Sequence, residues 1–236
     1  MLAMMITGGP LIILIRRICV GFAAFILLNS TNLPAQVPNQ PKVQPGPNEP
    51  DWLVLLDRVY AMRIFDDLLN PVQTTAEALP GLFRKAGPGE VTFRPVLALG
   101  LEVPIHGGYY LRPAGTDKEL WSYQFKTKAS EIEQGKDLVP PLRASSITTF
   151  DPGDFSFGLW ITNDQFHDRV FTEPKRVKAE NARLAKQPYK AMIYPFKDAK
   201  TGKIVPNSYL IGWEYSTNDD FQDVVCRIDN VVLIRP

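Results

Sequence analysis

Four carboxylates and an asparagine crowd into ten residues of this sequence: Glu214, Asn218, Asp219, Asp220 and Asp223. They stand between two strongly β-prone segments. Carboxylates this dense repel one another unless solvent or a cation neutralises them. Hard cations such as calcium take oxygen ligands in a flexible array, often from residues spaced along one loop. The spacing assigns Glu214, Asn218, Asp220 and Asp223 as side-chain ligands, with backbone carbonyls and water completing the shell. Asp219 is expected to point outward, because neighbours in an extended segment face opposite ways. The rival arrangement is a polar turn in which Asp and Asn side chains bond their own backbone. The glycine that lets an EF-hand loop turn sharply is missing here.

Catalytic constellations are poor by comparison. His106 lies in Pro-Ile-His-Gly-Gly and His167 in Asp-Gln-Phe-His-Asp. Neither neighbours a Ser or Cys in a nucleophile setting, and two His at zinc spacing on one helix are absent. Both read as turn or surface histidines. Glu214 with Asp220 or Asp223 is a distant candidate for a glycosidase carboxylate pair, but the acids do not alternate along one strand. A carbohydrate-binding module is the nearer alternative. Phe155, Phe157, Leu159 and Ile161 alternate onto one face and leave Trp160 on the other, where Tyr109, Tyr110 or Trp121 would complete a stacking platform. The competing expectation packs Trp160 beneath an amphipathic helix. Lys175, Arg176, Lys178, Arg183 and Lys186 read as a solvated helix face, since Glu173 and Glu180 interrupt them.

Several elements must position these residues. Arg16-Arg17, an apolar run from Ile18 to Leu28 and a small-residue stretch to Ala35 follow the order of a secretory signal, assigned to residues 1–36. If uncleaved, it is an N-terminal anchor and the chain's only tie to a membrane. Residues 37–50 carry five prolines and read as a semi-rigid linker. Residues 51–89 read as a helical segment packing on the domain that follows. Within it, Asp51 opens a helix through Leu69, with Trp52, Leu55, Leu56, Val59 and Met62 near one face.

From 90 to 236 the pattern turns to strands: 91–93, 96–103, 108–111, 120–125, 145–150, 155–162, 190–196, 208–215 and 224–234. They are β-branched or aromatic, with Pro, Gly, Asn and Asp between them, and Glu173 to Lys186 reads as one short inserted helix. The fold expected is mainly β, an antiparallel sandwich of jelly-roll type. Without Arg16 and Arg17 the charge balance is 24 basic to 25 acidic residues, which gives no electrostatic footprint for nucleic acid. Of two cysteines only Cys226 lies beyond the signal, so no intrachain disulfide can form. An exported domain then relies on a large core or a metal as its staple. Alternation places Cys226 with Val224 and Ile228 on an apolar face, a buried and inert thiol.

Tyr209-Leu-Ile-Gly-Trp-Glu214 followed by Asn218-Asp219-Asp220-Phe221-Gln222-Asp223-Val224-Val225 resembles the closing motif of a family of secreted bacterial domains of unknown function. In that family a strand ends in an acidic pair and leads into "DxDYNDVV". Phe150-Asp151-Pro152-Gly153 with Phe157-Gly158-Leu159-Trp160, Phe171-Thr172-Glu173 and Ile193-Tyr194-Pro195 resemble its other strands. The resemblance implies a β-sandwich that binds calcium. Tyr215, Asn218, Phe221 and Gln222 depart from the pattern, each removing charge or a good ligand. The expectation is therefore a non-enzymatic, secreted or cell-envelope domain of structural or adhesion type. Its expected partners are a cell-surface polysaccharide or another envelope protein.

Overall fold

The computed structural model describes residues 55–57, 59–60, 81–113, 115–128, 130–131, 138–173, 176, 190–198, 200–215 and 220–234. The expected signal and linker, most of helix 51–69 and nearly all of the inserted segment lie outside the described residues. Eleven strands are described: β1 (Leu82–Lys85), β2 (Val91–Ala98), β3 (Ile105–Arg112), β4 (Asp117–Tyr123), β5 (Thr149–Phe150), β6 (Ser156–Asn163), β7 (Val170–Phe171), β8 (Ala191–Lys197), β9 (Ile204–Trp213), β10 (Val224–Asp229) and β11 (Val231–Ile234). They form two sheets, mainly antiparallel as expected. The first runs β11-β1-β6-β3-β4 with β7 against β6, and the second runs β5-β2-β10-β9-β8.

Period-two alternation builds the core between the sheets. Phe157, Leu159 and Ile161 of β6 meet Ile193, Ile211, Trp213, Val224, Cys226 and Ile228 of the second sheet. Register shifts in β2 and β3 change the phase of the alternation. Leu97 pairs with Val225 and Pro95 with Cys226, so Val96 is the extra residue. Proline donates no ladder hydrogen bond; Phe93 N–H donates to the Thr148 carbonyl, and Pro95, two residues on, faces the same side beyond the end of the β5 pairing. In β3 the register shifts between Gly107 and Gly108, which brings both Leu120 and Trp121 into the core. Those glycines are required by contact: a Cβ on Gly107 would meet the Trp121 ring at 2.2 Å, and one on Gly108 the Trp160 ring at 2.4 Å.

The outer face of the second sheet is also apolar. Leu97, Leu99, Met192, Tyr194, Leu210 and Val225 pack against Leu55 and Leu56, which belong to a helical turn closed by Val59 N–H donating to the Leu55 carbonyl at 2.9 Å. That cover lies on the sheet opposite to Trp160. Trp160 is instead sealed by Arg169, 4.0 Å over its ring, and donates from Nε1 to Asp117 at 2.9 Å. Tyr109, Tyr110, Trp121 and Trp160 are each at most 4% exposed, so the proposed sugar-stacking platform is not presented to solvent.

Two sequence boundaries need correction. The sandwich begins at Leu82 rather than residue 90, because β1 falls inside the stretch assigned to the helical segment. The expected strand 224–234 is two strands: Asn230 takes φ 64°, and the chain crosses from the second sheet to the first. The Asn230 side chain donates to the Pro88 and Glu90 carbonyls at 3.3 and 3.2 Å, tying this crossing to the parallel one between β1 and β2.

Candidate metal centre

The acidic segment closes one end of the second sheet, where β9 stops, β10 starts and β2 runs out. Glu214, Asp220 and Asp223 are brought together there, all buried, at 0%, 1% and 6% exposure. One carboxylate oxygen from each lies within 4.8 Å of the others. Backbone amides aim them. The Asp220 amide donates to Glu214 Oε2 at 2.9 Å, and the Tyr215 amide donates to Asp223 Oδ2 at 3.0 Å. The Asp223 carbonyl in turn accepts from Leu99 and Gly100 N–H, each at 3.2 Å. Asn218 and Asp219 lie outside the described residues.

The turn that delivers Asp220 and Asp223 is strained. Phe221 adopts φ 58°, a region bulky residues avoid. Its ring is fully buried in the apolar cluster outside the sheet, which offsets the backbone cost and points the flanking acids the other way.

The electrostatics follow from burial. The Asp223 carboxyl is pushed well above the usual carboxylate range, first by burial and then by the charges of Glu214 and Asp220. A hydrogen bond between the Asp223 and Glu214 side chains acts in the same direction, and the Tyr215 amide opposes it. Two carboxyl groups in hydrogen-bond contact share a proton or a cation; two bare carboxylates do not persist at that separation.

Four further residues, three of them outside the acidic motif, shape the site. Tyr215, which stands where the resembling family has a second acid, is buried; its hydroxyl accepts from the Leu101 amide at 2.7 Å. Burial, then the neighbouring Asp223, raises its pKa. Gly100 makes room for that hydroxyl: a Cβ there would lie 2.1 Å from Tyr215 Oη and 2.7 Å from Asp223 Oδ1. Lys190 is fully buried, and its carbonyl accepts from the Glu214 amide at 3.1 Å. With Ala191 opposite Trp213, Lys190 stands opposite Glu214 and leaves the sheet on the same face. Tyr123 buries its hydroxyl without a hydrogen-bond partner among the described residues, and burial, then Cys226, Tyr215 and Asp223, raise its pKa. Strand register, not local spacing, brings Lys190 here from 24 residues away.

The other candidates lie elsewhere. His106 belongs to β3 rather than to a turn, and its ring sits between Glu119, 3.0 Å from Nδ1, and Asp164, 3.1 Å from Nε2. His167 is in an exposed turn with φ 58°. Cys226 is buried between Val224 and Ile228. Comparison with protein-family models, with curated proteins and with solved structures finds no match to this chain.

Proposed function

We propose that the 214–223 segment is a calcium site stapling a non-enzymatic, exported β-sandwich of structural or adhesion type. The observation that carries this reading is the convergence of three buried carboxylates. Oxygens bound to one calcium ion at 2.3–2.6 Å lie no more than about 5 Å apart, and the three here fall within 4.8 Å. Without a counter-ion, each pair at that separation repels by roughly 3 kcal/mol at an effective dielectric constant near 20. A divalent ion offsets the mutual repulsion of carboxylates gathered this closely. Oxygen-only donors favour a hard cation over zinc or copper. Asn218 is the fourth side-chain ligand in this assignment, and the backbone and water supply the rest. Glu214 and Asp223 are buried and in contact, too close for an inverting glycosidase pair with a water between them.

The test is thermal unfolding of the purified chain in calcium and in chelator. Calcium at about a hundred times its Kd should stabilise by about 2.7 kcal/mol, raising Tm by roughly 5 to 10 °C for a chain of this size. Asp220→Ala or Asp223→Asn should abolish the shift, and Asp219→Ala should leave it. Terbium in place of calcium should luminesce on excitation of Trp213 and Tyr215, which flank Glu214. An unmoved Tm, with no calorimetric heat and no terbium signal, ends the proposal.

A further inference from the structure

A cavity of about 340 Å³ opens on the outer face of the second sheet, away from the acidic cluster. Its floor is Val96, Leu210 and Phe196, and Val59 and Tyr60 form part of its wall. Its rim is cationic. Arg94 and Arg227 both line it and are direct partners across the β2–β10 ladder. Like charges directly opposite on one sheet face are destabilising. Arg227 is half-neutralised: it donates to Asp229 from Nε at 2.9 Å and Nη2 at 2.8 Å, and lies 4.0 Å over the Phe196 ring. Arg94 is exposed and has no carboxylate partner among the described residues. An apolar floor beneath an exposed guanidinium that no described carboxylate neutralises describes a site for one kind of molecule.

The geometry points to a binding site for a small amphipathic carboxylate, such as a medium-chain fatty acid, with its tail on Val96, Leu210 and Phe196 and its head group at Arg94 and Arg227. The volume holds on the order of ten non-hydrogen atoms at liquid density. A carboxylate accepts two parallel N–H donors from one guanidinium, so Arg94 supplies both recognition and charge. This inference is independent of the calcium reading, and its test is run in chelator.

The experiment is isothermal titration of the full chain with decanoate, decan-1-ol and acetate in parallel. Decanoate should bind saturably at one site, decanol at least about tenfold more weakly, and acetate not measurably, since a charge-assisted hydrogen bond is worth at least that factor. Arg94→Gln, at an exposed position, should weaken decanoate by about tenfold without lowering Tm. Equal binding of decanoate and decanol, an unchanged Kd in Arg94→Gln, or no saturable binding each overturns the proposal.

Discussion

Asp223 answers two opposed demands. In the metal-free fold, burial and then its acidic neighbours make it hold a proton more tightly than in the unfolded chain. The native state therefore binds more protons, and stability falls as pH rises. The contribution is complete below the ordinary carboxyl value of 3.8 and is lost as pH climbs through the raised native value. Calcium reverses the trend, since it requires the deprotonated ligand. Melting curves between about pH 4 and 8 should slope downward in chelator and flatten or rise in calcium. Asp223→Asn should remove the downward slope in chelator; a slope unchanged in that variant would assign it to other groups. At this scale the crowding of acids was readable from spacing alone. Their sealing from water was not, because it depends on Phe221 turning into an apolar cluster and on Tyr215 reaching Leu101 past a glycine. Nor was Lys190 readable, since only the β8–β9 register places it opposite Glu214.

Among the elements, the corner at Asn230 concentrates the most structure in one side chain. It supplies a left-handed φ that Asn tolerates and two hydrogen bonds to the neighbouring corner. Asn230→Ala should cost about 1–3 kcal/mol, from the lost bonds and the strained φ. Asn230→Gly should recover part of that loss, because glycine accepts the backbone angle. Urea midpoints compared at constant slope decide it; an alanine variant as stable as the parent would show that the corner does not need this residue. The strand signals predicted most of β2 to β10: β-branched and aromatic runs between turn residues, continuous in β8, β9 and β10 because both faces of that sheet are covered. They erred where the local signal and the tertiary solution differ. Pro95 reads as a break between two strands and lies within one. β1 and β7 are too short to show a period, and β1 follows Pro80-Gly81 directly, so it reads as the tail of the helical segment.

For the molecule as a whole, the core between the sheets does the work that disulfides do in small secreted domains. Phe83, Phe93, Trp121, Tyr123, Phe157 and Trp213 are all fully buried. Cys226 lies among them, and burial pushes its thiol far above the range where a thiolate forms. An aromatic disulfide reagent should leave it untouched in the native protein and titrate one thiol there after denaturation. Modification should follow the opening of the domain; rapid reaction at neutral pH without denaturant would contradict the packing.

The paired crossings of β1–β2 and β10–β11 also order events in time. β10 fills the slot between β2 and β9, and β11 covers the flank of β1. On the ribosome, earlier segments would thus emerge with raw strand edges and half a core, and nothing could close until residues 224–234 cleared the exit tunnel. A chain stopped before that stretch leaves the edges of β2, β9 and β1 without the strands that pair them in the complete sheets.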